Sequence, residues 1–303
     1  MAQFIQLLAN GIAKGSYYAL IALGYTMVYG IIQLINFAHG DIFMLGAFVG
    51  LWVFNFGATN LGFHAGSIPT LIVILLVPAL AMPLVGVSLE RFAYRPLRNA
   101  PRLAPLITAL GASIVLEQLV AVFYTKGPVP YPAKLFPDHT FHVFGASIRL
   151  LYFFMVVLSL GLMFLLSTFV RATRLGKAMR ATAEDRDTAR LMGINVDQII
   201  ALTFVIGSAL AGVGGVMRGM YLGQIDFFMG FIGGLKAFTA AVLGGIGNIT
   251  GAVLGGFVIG FIENFASSIG QSRWSEFLVF MILTFVLIFK PSGLFGQATG
   301  DRA

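Results

Sequence analysis

Residues 67–89 read SIPTLIVILLVPALAMPLVGVSL, twenty-three consecutive positions without a charged side chain. Coiled as a helix at about 1.5 Å per residue, such a run is long enough to cross the roughly 30 Å hydrocarbon layer of a bilayer. Further apolar runs fall at about 16–35, 41–57, 103–124, 150–170, 196–217, 229–246, 249–266 and 276–290. The runs at 41–57 and 276–290 are short. Those at 229–246 and 249–266 are separated only by Gly247 and Asn248, so they form either two short spans or one re-entrant feature. The expectation is an all-α, polytopic transmembrane helical bundle of about eight spans, a single transmembrane domain over 1–303.

Composition agrees. The chain is 58% hydrophobic and 10% charged, with a mean hydropathy of +0.91. A soluble domain carries about 25% charged residues to keep its surface wet. Thirty-seven glycines suit helices that approach closely or break around a cavity. The absence of cysteine excludes disulfides, thiolate metal sites and a cysteine nucleophile. A net charge of +7 raises nucleic acid as a partner, but the basic residues sit in short loops between apolar runs, which excludes that reading. The opening MAQFIQLLANGIAKG has neither a basic leader nor a small-residue cleavage site, so no cleaved signal peptide is expected.

Charge also sets the orientation. Arg91, Arg95, Arg98 and Arg102 crowd one loop; Arg171, Arg174, Lys177, Arg180, Arg186 and Arg190 crowd another. Both read as cytoplasmic, with the even number of spans between them that this requires. The loop 125–149 then falls outside, and its four prolines, Pro128, Pro130, Pro132 and Pro137, predict an extended, irregular course.

The longest polar stretch is RATRLGKAMRATAEDRDTARLMGINVD, residues 171–197. Residues 178–192 have helix-forming composition, Gly193 suits a helix stop, and Asn195 suits the cap of the next span. This predicts a short helix on the membrane surface: either an ordinary polar loop or a handle for a soluble cytoplasmic subunit.

The stretch resembles the coupling segment of ABC importer permeases, specifically branched-chain amino-acid permeases of the LivH type. Arg171, Gly176, Arg180, Ala181, Ala183, Glu184, Asp185, Ala189, Leu191, Gly193 and Ile194 carry the likeness, which continues through residues 200–207. It also covers Gly15 to Gly50 and Leu235 to Gly260, and is weakest in 125–149 and the last dozen residues. The resemblance implies a cytoplasmic coupling loop at 171–195, with Arg180, Ala183, Glu184, Asp185, Arg190 and Gly193 as ATPase-coupling residues. It implies a second, LivM-type permease, LivG- and LivF-type ATPases, a periplasmic amino-acid-binding protein and a place in the bacterial inner membrane. ATP and magnesium would be bound by the ATPases, with no cofactor in this chain. The same resemblance leaves urea or short amides open as substrates. A self-sufficient secondary transporter or channel is the competing class.

Two further motifs are candidates for the translocation path. Asn36-Phe37-Ala38-His39-Gly40-Asp41 sets three polar side chains between apolar runs. If this break lies at membrane depth, the helix starting near Asp41 points free N–H groups at the cavity and favours a substrate carboxylate. Asn36, His39 or Asp41 then meets the substrate ammonium or shapes the path; otherwise Asp41 caps a surface turn. One His and one Asp are too few ligands for a metal site. The Gly-rich segment 243–251 lacks the Gly-Lys-Ser/Thr ending of a phosphate loop. It reads as close helix packing, or as a second break bringing Gly245 and Asn248 opposite Asn36–Asp41. Gly40–Gly50 and Gly251–Gly260 echo each other faintly, each after an Asn-containing break.

Lys14, Glu117, Lys236 and Glu263 are ionisable residues within apolar runs, and should face protein or water rather than lipid. Glu117 either pairs with a buried polar group or lines the path; Lys14, Lys236 and Glu263 are open to snorkelling at an interface. No triad, metal cluster or acid pair is evident, which argues against an enzyme.

Overall fold

Hydrocarbon offers backbone N–H and C=O groups no partners, so a crossing segment closes its hydrogen bonds within itself as a helix. The computed structural model describes residues 2–98, 100–101, 103–132, 135–137, 139–268 and 274–296. Its main helices are α1 (Ala2–Ile32), α2 (His39–Asn60), α3 (Ile68–Leu89), α4 (Leu103–Phe123), α5 (Leu150–Ala172), α6 (Arg174–Glu184), α7 (Arg186–Leu191), α8 (Val196–Leu222), α9 (Met229–Gly244), α10 (Ile249–Ser268) and α11 (Ser275–Phe289). Seven of these are long and apolar enough to cross a membrane; α9 and α11 are apolar but shorter.

α1, α2, α8, α9 and α10 pack on one another at the centre. α1 and α10 run antiparallel through small residues: a Cβ added to Gly15 would stand 2.5 Å from Phe257 Cα. In lipid such close backbone packing replaces the hydrophobic drive that water would supply. The outer helices turn Leu84 (α3), Phe123 (α4), Phe164 (α5) and Phe285 (α11) outward, as lipid requires.

The start of α1 lies beside the 125–149 segment, where the Ser147 N–H donates to Gln6 Oε1. α1 ends at the opposite end of the bundle, beside α7, where Arg186 reaches its last carbonyls. The last described residues finish at that end too: the Leu294 and Phe295 N–H groups donate to the carbonyls of Leu243 and Gly244, at the end of α9.

Four expectations are corrected. The first basic loop is not a simple loop, because α3 continues through a π turn (Glu90–Tyr94) and a 3₁₀ turn (Arg95–Leu97). Buried Glu90 holds Arg98 and lies near Arg95, and both arginines also engage Asp197 at the start of α8, which pins the extension. Arg102 lies outside the described residues. Second, 178–192 is not one helix: Asp185 is extended and starts α7 by accepting from the Asp187 and Thr188 N–H groups. Third, 125–149 is partly ordered, although 133, 134 and 138 lie outside the described residues. β2 (Thr140–Val143) and β3 (Ala146–Arg149) pair through a tight turn with positive φ at Phe144 and Gly145, and β1 (Val129–Pro130) pairs with β4 (Gln224–Ile225). Fourth, Lys14, Lys236 and Glu263 do not snorkel. Glu263 Oε1 lies 3.3 Å from Lys14 and 2.9 Å from Lys236, Glu263 Oε2 accepts from Tyr18, and Lys236 also reaches Glu276. Pairing inside protein costs less than presenting single charges to lipid.

Candidate functional site

The break after α1 turns back into the bundle. Gln33 takes φ +56°, a strained value for a residue with a Cβ, and α2 starts at His39 among buried neighbours. A Cβ on Gly24 would stand 2.2 Å from His39 Nε2 and 3.1 Å from the Gly207 carbonyl, so α1, α2 and α8 meet at one level. Gly207 is eleven residues along α8 from Val196, roughly 16 Å at 1.5 Å per residue. The break, and with it the start of α2, therefore lies well inside the bundle.

Each side chain there has a definite place. Asn36 Oδ1 accepts from the Tyr94 hydroxyl at 2.8 Å, while its Nδ2 has no partner among the described residues. His39 stacks edge-on to Tyr25, its Nε2 unpaired against Gly24. Asp41 is fully buried, and neither carboxyl oxygen completes a hydrogen bond with the described residues. Ser113 of α4 stands beside that carboxyl, and Glu117, one turn further along α4, is within electrostatic reach.

The start of α9 meets the start of α2. A Cβ on Gly40 would lie 2.2 Å from the Gly230 carbonyl, and one on Gly230 would lie 2.5 Å from Asp41 Oδ1. Only glycine allows this approach. The two breaks share a pattern, Asn36-Phe37-x-x-Gly40 and Asp226-Phe227-x-x-Gly230. They also share a turn, with the His39 N–H donating to Asn36 O and the Met229 N–H to Asp226 O. The internal echo thus relates α2 to α9 rather than to α10. α2 and α9 leave the junction in opposite directions along the bundle, and paired breaks of this kind are a pointer to a transport site in transporter folds.

Gly245 and Asn248 are not brought to this junction. They form the turn between α9 and α10, where Asn248 Oδ1 accepts from the Gly251 N–H and its Nδ2 donates to Phe295 O. The sequence reading missed Tyr25, Tyr94, Ser113 and Gly230. Only Gly230 carried a signal, the repeated Phe-x-x-Gly spacing. Among the described residues no group of three or more metal-binding side chains comes together.

At the end of the bundle where α1 stops, α6 and α7 border a cavity of about 710 Å³ lined in part by Tyr29, Gln33, Glu184, Arg186 and Gly247. Of the expected coupling residues, Arg180 donates to Val170 O at the end of α5, Ala183, Glu184 and Asp185 line the cavity, and Arg190 pairs with Asp187 at 3.0 Å. Gly193 takes φ +82° and ends α7, and Asn195 caps α8 by accepting from the Gln198 N–H. Leu191 and Met192 at the tip of α7 are 88% and 78% exposed, beyond the membrane helices.

Residues 7–287 match the family described as "Branched-chain amino acid transport system / permease component". The chain belongs to that family. It is 42% identical to the high-affinity branched-chain amino acid transport system permease protein LivH of Escherichia coli K12, over 99% of this chain and 97% of that protein. Identity to BraD of Pseudomonas aeruginosa, a permease protein of the same description, is also 42%, over 99% and 98%. A probable branched-chain amino acid transport permease protein LivH of Methanocaldococcus jannaschii is 28% identical over 96% of this chain and 92% of that protein. No solved structure matches the chain. Family membership and seven long apolar helices make it a multi-pass inner-membrane transport permease.

Proposed function

We propose that this chain is one of two permeases in an ATP-driven importer of branched-chain amino acids. A LivM-type permease completes the path, LivG- and LivF-type ATPases bind ATP and magnesium, and a periplasmic binding protein delivers the substrate. The observation that carries this reading is the link between handle and break. The Arg186 guanidinium, on α7, donates to the carbonyls of Ile31 and Ile32, immediately before strained Gln33 and a few residues from Asn36. Displacement of α6–α7 by an ATPase pulls on the end of α1 and shifts the buried start of α2. The exposed Leu191–Met192 tip supplies an apolar anchor for that subunit, and the surrounding arginines favour an acidic rim on it.

The test is uptake of a labelled panel of leucine, isoleucine, valine, urea and acetamide in proteoliposomes, with and without the two ATPases. The expected result is ATP-dependent uptake of the branched-chain amino acids, and loss of ATPase co-purification in Leu191→Glu/Met192→Glu. Uptake by this chain alone, without nucleotide, sinks the proposal.

A further inference from the structure

The start of α2 is no longer a free anion site. The N–H groups of His39, Asp41 and Ile42 donate to the carbonyls of Asn36 and Ala38, and the Tyr25 hydroxyl stands against the N–H of Gly40. The group left unanswered is acidic. Among the described residues, fully buried Asp41 completes no hydrogen bond through either oxygen; Ser113 of α4, 2% exposed, stands beside its carboxyl, and Glu117, one turn further along α4 and 8% exposed, accepts only a long 3.4 Å contact from the Gln118 amide. Among the described residues, no cation acts on Asp41. Two carboxyl groups held in the bundle without a positive charge carry both a desolvation cost and mutual repulsion.

We propose that Asp41, Glu117 and Ser113 seat a single primary ammonium group in the translocation path. An ammonium has three N–H donors, and three oxygen-bearing side chains on two neighbouring helices match that number. Hard divalent ions take about six or more oxygens, more than these three side chains offer. Packing fixes the register: α2 and α4 run side by side, and Phe48 meets Tyr124 edge-on about two turns beyond Asp41 and Glu117 respectively. The competing role for Asp41 is purely structural, a negative charge over the first turn of α9 at Gly230. The assignment rests on the translocation role proposed above, and it reverses the polarity expected from the helix start: the site holds the amino end of the substrate, not its carboxylate.

The experiment is equilibrium binding of labelled leucine to the permease–ATPase complex in nanodiscs, without the binding protein. Competitors are 3-methylbutylamine, which keeps the ammonium, 4-methylpentanoate, which keeps the carboxylate, and sodium chloride. The amine should compete and the acid should not, and Glu117→Gln and Ser113→Ala should each weaken binding, Glu117→Gln by at least about tenfold. Asp41→Asn should do the same, and the two α4 variants keep the test open if it does not assemble. Competition by the acid alone, equal competition by sodium, or no saturable binding of leucine or amine at millimolar concentration overturns the assignment. ATP-dependent uptake by the same preparations reports separately on the importer reading.

Discussion

The guanidinium of Arg186, on cytoplasmic α7, donates to the carbonyl oxygen of Ile32, the last residue of α1. It also donates to Ile31 O at 3.1 Å. These are orphan carbonyls at a helix C-terminus, where a cation is favoured by both the free acceptors and the helix dipole. One side chain thereby joins α7 to the helix that feeds the buried break.

Arg186→Ala should break that joint without unfolding the bundle. A hydrogen bond from a charged donor contributes about 1.5–3 kcal/mol, so uptake should fall by about tenfold or more while assembly and basal ATP hydrolysis persist. Parallel uptake and ATPase assays on the reconstituted complex check this. Unchanged uptake would mean that the handle acts through another contact.

Gly40→Ala and Gly111→Ala should move stability in opposite directions. At Gly40 the new methyl meets the Gly230 carbonyl at 2.2 Å, and backbone cannot yield cheaply. The loss should be at least about 1–3 kcal/mol. At Gly111, in the interior of α4, nothing lies within 4 Å. Alanine there should gain about 0.5–1 kcal/mol from reduced backbone freedom. Thermal unfolding in detergent reads both.

What the sequence revealed and what it hid divide along range. Gly193 as a stop and Asn195 as a cap were legible because each acts within a few residues. Runs such as 67–89 announced spans through hydropathy alone. The depth of Asn36–Asp41 was not legible, because it depends on Tyr94, 58 positions away, holding the returning chain. Asp185 hid as part of a helix-forming string because its capping role appears only in its extended backbone. Lys14 and Glu263 looked like separate liabilities because nothing local reveals that α1 and α10 lie side by side.

The ion cluster gives a sharper contrast. Glu263→Gln leaves Lys14 and Lys236 facing each other without their shared carboxylate. Removing one partner of a buried ion group costs about 3–5 kcal/mol, so this variant should unfold well below wild type. Adding Lys14→Met to Glu263→Gln should recover part of the loss, because one of the stranded charges is gone. A double-mutant cycle by thermal unfolding checks the coupling. Strict additivity would show that these groups act independently.

Asp185 separates capping from charge. Hydrogen bonds from the Thr188 N–H, the Thr188 hydroxyl and the Asp187 N–H hold its carboxyl below the usual carboxylate range. A lowered folded value means that the stabilising charge is fully present above the ordinary value of 3.8, and is lost only as pH falls through the lower folded value. Between about pH 5 and pH 8 the cap should therefore be insensitive to pH. Asparagine caps about as well as aspartate, whereas alanine does not. Asp185→Asn should keep near-wild-type uptake and leave its pH profile as in the wild type, and Asp185→Ala should lose coupling as α7 loosens. If Asp185→Asn fails as badly as Asp185→Ala, the negative charge itself is what the cytoplasmic partner grips, and the cap is secondary.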